Sequence, residues 1–142
     1  MQNRNNQLAI HAATVIAFLC AIPLRWFTLT NAPIIGSPGD TWPGSITITG
    51  INGSVGFFYR LPIWLLLVVS AFATLIAATN LAGFTSIPRS VPLVALIVAG
   101  AHYIAPYFVL SEQISPSVGP IVALIATAVV VISSVSASGN DK

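Results

Sequence analysis

The sequence predicts an all-α membrane protein: a four-transmembrane-helix bundle with a small β-rich extracytoplasmic cap between helices 1 and 2. Three observations carry that reading. Hydrophobic residues make up 56% of the 142 residues and charged residues 6%, against about 25% charged in an ordinary soluble domain. The charged side chains Arg4, Arg25, Asp40, Arg60, Arg89, Glu112, Asp141 and Lys142 all fall outside the long apolar runs. Four such runs approach the roughly 20 residues a helix needs to cross hydrocarbon. The chain therefore reads as one integral membrane domain over residues 1–142.

The first run covers about residues 8–24 and is the shortest. A cleaved signal peptide is the competing reading, but it needs small residues at a cleavage site. Pro23, Leu24, Arg25 and Trp26 stand there instead, and Leu19 before Cys20 does not suit a lipoprotein signal. The run is read as a helix. Residues 25–60 then form the sizeable polar loop. Residues 26–30 and 45–49 alternate and are rich in aromatic or β-branched residues, which favours strands. Asn52-Gly53 suits the positive φ angles of a two-residue hairpin turn, with residues 55–59 as the returning strand. The intervening Ala32-Pro33, Ser37-Pro38-Gly39-Asp40 and Trp42-Pro43-Gly44 are turn-forming punctuation. The expected result is a three-stranded cap resting on the outer helix ends.

The remaining helices are expected at about residues 61–83, 91–110 and 118–135. Ser70, Thr74 and Ala78, with Ala73 and Ala77 beside them, form a small-residue stripe on the second; Ala95, Ala99 and Gly100 form one on the third. Such stripes let helix backbones approach closely in lipid. Pro62, Pro92 and Pro120 suit first turns, where the missing N–H costs nothing, while Pro106 should kink or end the third helix. Lys and Arg near helix ends favour the cytoplasmic side. Arg4, Arg89 and Lys142 against Arg25 and Arg60 put both termini in the cytoplasm, with a bacterial inner membrane as the location.

Composition also excludes chemistry. The formal net charge of +2 comes without a basic stripe, so no nucleic-acid partner is expected. The single Cys20 rules out an intrachain disulfide and a cysteine-based zinc site. Phosphate-binding loops, dinucleotide glycine patterns and hydrolase or zinc-protease signatures are missing. No enzyme, cofactor or metal is expected. A small multidrug transporter would carry an acidic residue within its first helix, and this chain has none there.

A few residues remain as candidates. His102 is a possible functional polar residue, because an ionisable group within a membrane segment suggests a pathway or relay. Its neighbours Tyr103, Pro106 and Tyr107 also suit an interfacial aromatic belt, where a histidine simply bonds to a neighbouring helix. His11 and Asn80, both towards inner helix ends, are placed to meet. Arg25, Trp26, Arg60 and Trp64 are read as headgroup-level anchors. Asp40 and Glu112 are candidate ion-pair partners that fasten the cap. Trp26, Trp42, Asn52 and Gly53 mark the possible cap or interface surface. Asn52-Gly53-Ser54 also matches a glycosylation acceptor, with the turn reading preferred.

The order of a first helix ending in Pro-x-x-Trp (Pro23 to Trp26), a strand-rich outer loop and three closely spaced helices resembles the claudin-like layout. More nearly, it resembles small bacterial four-helix membrane proteins of unknown function that share it. The likeness is one of topology: the claudin loop signature includes a cysteine pair that this loop lacks, and no site is carried over. The function expected is a non-enzymatic structural or accessory membrane protein whose outer loop contacts a protein partner or itself as a homo-oligomer. The alternatives are an oligomeric small-solute channel or transporter using the His102 region, and a membrane enzyme subunit holding a lipid or quinone.

Overall fold

A computed structural model of the chain describes residues 2–30, 44–55, 60–109 and 114–139. The elements run α1 (Gln2–Ala21), β1 (Arg25–Thr30), β2 (Ser45–Thr49), β3 (Ser54–Val55), β4 (Leu61–Pro62), α2 (Ile63–Ala82), α3 (Ser90–Val109), β5 (Ile114–Pro116) and α4 (Val118–Gly139). Three helical segments, Ile63–Ala82, Ser90–Val109 and Val118–Ser136, are long and apolar enough to cross a membrane. Their outward faces carry large apolar side chains such as Phe72, Ile97 and Ile125, as an integral membrane protein requires.

Helix α1 departs from expectation at both ends. It starts at Gln2 and stops at Ala21, so two turns of Gln, Asn and Arg precede the apolar part. At 1.5 Å per residue, that apolar part rises only about 20 Å, and α1 is not among the three segments above. Nevertheless α1 packs against α2 and α4, while α3 packs against both α2 and α4. Small side chains allow the approach: Ser70, Ala73, Thr74 and Ala77 on α2, Ala99 and Gly100 on α3, and Ala123, Ala126 and Thr127 on α4 are all buried. Hydroxyls on these faces bond to carbonyls one turn back, as Thr74 Oγ1 does to Ser70 (2.8 Å) and Thr127 Oγ1 to Ala123 (2.8 Å). Their polarity is thereby satisfied within the helix.

The helix ends have identifiable caps. The first N–H groups of α2 donate outside the helix, from Ile63 to the Gly53 carbonyl (3.0 Å) and from Trp64 to the Gly50 carbonyl (3.0 Å). At the other end Gly83 takes the left-handed conformation at φ 80°, which a side chain disfavours. Its N–H reaches the Asn80 carbonyl (3.1 Å), and that of Phe84 reaches Thr79 (2.9 Å). Pro106 lies within α3, which runs on to Val109; the proline sits in the last turn and does not end the helix.

The cap differs from the expected three-stranded unit. β1 pairs antiparallel with β2, as Phe27 with Ile48 and Leu29 with Ile46. The third strand of that sheet is β5 from the α3–α4 connection, giving the order β2-β1-β5. Residues 54–55 instead pair with Leu61–Pro62 in a separate two-stranded ribbon. Residues 56–59 of the expected returning strand lie outside the described residues. Asn52-Gly53 is not a hairpin turn of the expected kind either, since Gly53 is not among the positive-φ glycines. The turn is closed by the Asn52 side chain, whose Oδ1 accepts from the Thr49 N–H (2.8 Å), and by the Gly53 N–H donating to the Thr49 carbonyl (2.9 Å). This geometry directs the chain onto the start of α2.

Candidate functional site: the sheet and the helix ends beside it

Trp26 is the centre of the end of the helices that carries the sheet. A bulge between Arg25 and Phe27 interrupts the β1–β2 register, and the extra residue turns its side chain towards the helices. Trp26 is 1% exposed. Its indole N–H donates to the Ala21 carbonyl at the end of α1 (3.0 Å), which also accepts from the Leu24 N–H (3.3 Å). Its ring lies 5.3 Å from that of Tyr103 at 60°, a tilted aromatic pair. The Tyr107 hydroxyl donates to the Trp26 carbonyl (3.0 Å). On α4, Gly119 lies so close that a Cβ there would sit 2.6 Å from the indole. One side chain thus touches or bonds to α1, α3 and α4. The headgroup-anchor reading of Trp26 is therefore corrected: the bulge draws it into the core. Trp64, in the first turn of α2, is 44% exposed.

Below Trp26, Tyr103 and Ser70 join α3 to α2. Their hydroxyls are 2.7 Å apart, and the Leu66 carbonyl lies 2.9 Å from Ser70 Oγ and 3.2 Å from the Tyr103 oxygen. Two hydroxyl protons thus serve a cluster of three oxygens, all buried.

Between the sheet and the C-terminal part of α3 is a cavity of about 260 Å³, bounded by Phe27, Ile48, Asn52, Val55, Pro106 and Val109. It is mostly apolar, with the Asn52 turn at its edge. Of the residues marked for the cap surface, Asn52 and Gly53 line this cavity, Trp26 lies in the core, and Trp42 lies outside the described residues. Asp40 and Glu112 also lie outside them. Strand β2 forms one end of the described sheet, with Ile46 41% and, just beyond the strand, Ile51 63% exposed.

The histidines do not form a site together. His102 Nδ1 bonds to the Val98 carbonyl of its own helix (2.7 Å). His11 is fully buried; its Nδ1 donates to the Gln7 carbonyl (2.7 Å), while Nε2 has no hydrogen-bond partner. The expected His11–Asn80 pairing gives way to a local role. Asn80 Nδ2 donates to the Ile87 carbonyl (2.9 Å) and its Oδ1 accepts from Thr85, so the side chain shapes the α2–α3 turn. Cys20 is exposed on α1. Among the described residues, no group of three His, Cys, Asp or Glu side chains is placed to hold a metal.

Sequence reading missed Gly50 and Gly119, whose lack of a side chain permits the close contacts with the end of α1 and with Trp26. The spacing of Tyr103 and Tyr107, four apart on one helix face, was the available signal for an aromatic acceptor of Trp26. In comparison with known proteins, no family model, curated protein or solved structure matches the chain.

Proposed function

We propose that this chain is a non-enzymatic, four-span protein of a bacterial inner membrane, with both termini cytoplasmic, and that its outer cap is a contact surface for a protein partner or a second copy. The observation that carries the proposal is the construction of the cap. Two connections separated by two helices contribute strands to one sheet, and Trp26 ties that sheet to the helix ends. A held, rigid platform of this kind suits recognition. Its end strand β2 offers an alternating Ser-Ile-Thr-Ile-Thr edge, and such edges take up an added strand through main-chain hydrogen bonds. Among the described residues, the cavity beside the sheet is lined mostly by apolar side chains, which favours binding over catalysis.

The test is a cross-link. In a Cys20→Ser background, Thr47→Cys on β2 is expected to capture a reproducible partner or a second copy from membranes, whereas Thr85→Cys on the opposite turn is not. Purification in mild detergent should retain the same species. A monodisperse monomer, with no product from Thr47→Cys above that from Thr85→Cys, would overturn the proposal.

A further inference from the structure

Strand β2 is closed at one end of its free side and open along the rest. The Thr49 N–H reaches Asn52 Oδ1 (2.8 Å) and the Thr49 carbonyl accepts from the Gly53 N–H (2.9 Å), so Thr49 turns its main-chain groups away from β1. The Gly50 N–H, one residue on, points the other way, to the Leu24 carbonyl (3.3 Å). Successive residues of a strand direct these groups to opposite sides. Ile46 and Ile48 therefore bond towards β1, opposite Leu29 and Phe27, while Ser45 and Thr47 face the side where, among the described residues, no strand pairs. Ser45, Ile46 and Thr47 are exposed, Ile46 at 41%. The strand carries no charge and no proline, the devices that usually guard an edge, and an unguarded β-branched edge invites another strand.

We infer that the added strand is β2 of a second copy, paired antiparallel about a two-fold axis at Ile46. The inference rests on the reading of the cap as a contact surface and names its partner. The edge itself selects a copy. Its open main-chain groups lie on Ser45 and Thr47, and a two-fold at Ile46 sets each of these opposite the other, so that both pairs exchange N–H···O bonds. The side chains match as well: Ile46 meets its own mate on one face of the sheet and hydroxyl meets hydroxyl on the other, without charge repulsion. A two-fold at Thr47 would instead set Ser45 against Thr49, whose groups the Asn52 turn already holds. The arrangement is closed and self-complementary, as in most dimers. A strand of 5 residues makes a small contact, but confinement to a membrane raises the effective concentration of the copies.

Single cysteines in the full-length Cys20→Ser chain read this register in membranes under mild oxidation. In the inferred pairing the two Ile46 Cα atoms face each other across a non-hydrogen-bonded pair, about 4.5 Å apart, within the roughly 4–7 Å that a disulfide spans. The two Thr47 residues stand diagonally, at about 7–8 Å. Ile46→Cys should therefore give a disulfide-linked dimer several-fold above Thr47→Cys and Thr85→Cys, and Ser45→Cys should pair with Thr47→Cys when differently tagged copies are co-expressed. Thr47→Pro removes an N–H on the free side and leaves the bonds to β1 in place; it should abolish the Ile46→Cys dimer with resistance to SDS unfolding unchanged. An Ile46→Cys dimer no more abundant than that of Thr85→Cys, or one that survives Thr47→Pro, overturns the inference. Capture of a different protein by Thr47→Cys, with no Ile46→Cys dimer, overturns the second copy alone and leaves the contact-surface reading standing.

Discussion

Replacing Gly119 by alanine should loosen the helix ends that pack around Trp26. A Cβ at this position would lie 2.6 Å and 2.7 Å from two atoms of the Trp26 indole and 2.8 Å from the Arg25 carbonyl oxygen. The backbone oxygen cannot swing aside, so either α4 retreats or the indole turns away and loses its bond to Ala21. Overpacking of this kind costs about 1–3 kcal/mol, and a lost hydrogen bond adds about 0.5–1 kcal/mol in a membrane setting. Alanine in a helix returns up to about 1 kcal/mol, leaving a net loss of about 0.5–3 kcal/mol. Unfolding by SDS titration in mild detergent, followed by tryptophan fluorescence, measures this loss. Gly100→Ala is the control, since its Cβ would meet only Thr127 Cγ2 at 3.4 Å, and it should be neutral or slightly stabilising. Equal stability of the Gly119 and Gly100 variants would refute the close-packing argument.

Trp26→Phe keeps most of the ring but leaves the Ala21 carbonyl with only the longer Leu24 N–H bond (3.3 Å), and should cost about 0.5–1.5 kcal/mol in the same titration. Ser70→Ala and Tyr103→Phe should each cost about 1 kcal/mol or less, because the Leu66 carbonyl gives the remaining hydroxyl a partner. A double-mutant cycle should give a coupling below about 1.5 kcal/mol, and strict additivity would deny the shared cluster. His11→Leu should be neutral or stabilising, since it removes a buried ring nitrogen that lacks a partner; a loss above about 2 kcal/mol would mean that Nε2 is engaged.

The sequence made the helices after the cap legible because their apolar runs are long and bounded by Arg60, Arg89 and polar turns. It placed β1 and β2 because residues 26–30 and 45–49 alternate with the period of a strand. The third strand was hidden: Ile114-Ser115-Pro116 is too short, and carries a proline, to announce a strand by itself. Its pairing with β1 is set by the tertiary placement of the α3–α4 connection. Asn52-Gly53 carried a true turn signal but the wrong geometry, because the Asn52 carboxamide closes the turn on Thr49. Trp26 was misplaced for a related reason. An indole suits both a headgroup boundary and a buried node, and only the bulge decides which. The length of α1 was legible as apolar composition, whereas its helical start in polar residues was not, since Asn and Gln give no strong start signal of their own.

A four-span arrangement requires α1 to cross the membrane together with α2, α3 and α4. Single cysteines at Asn5, Ser54, Ser86 and Ser115, in a Cys20→Ser background, can be labelled with a membrane-impermeant maleimide from one face and then from both. Asn5 and Ser86 should react together from one face, and Ser54 and Ser115 together from the other. Asn5 reacting with Ser54 and Ser115 instead would leave three spans and contradict the four-span arrangement.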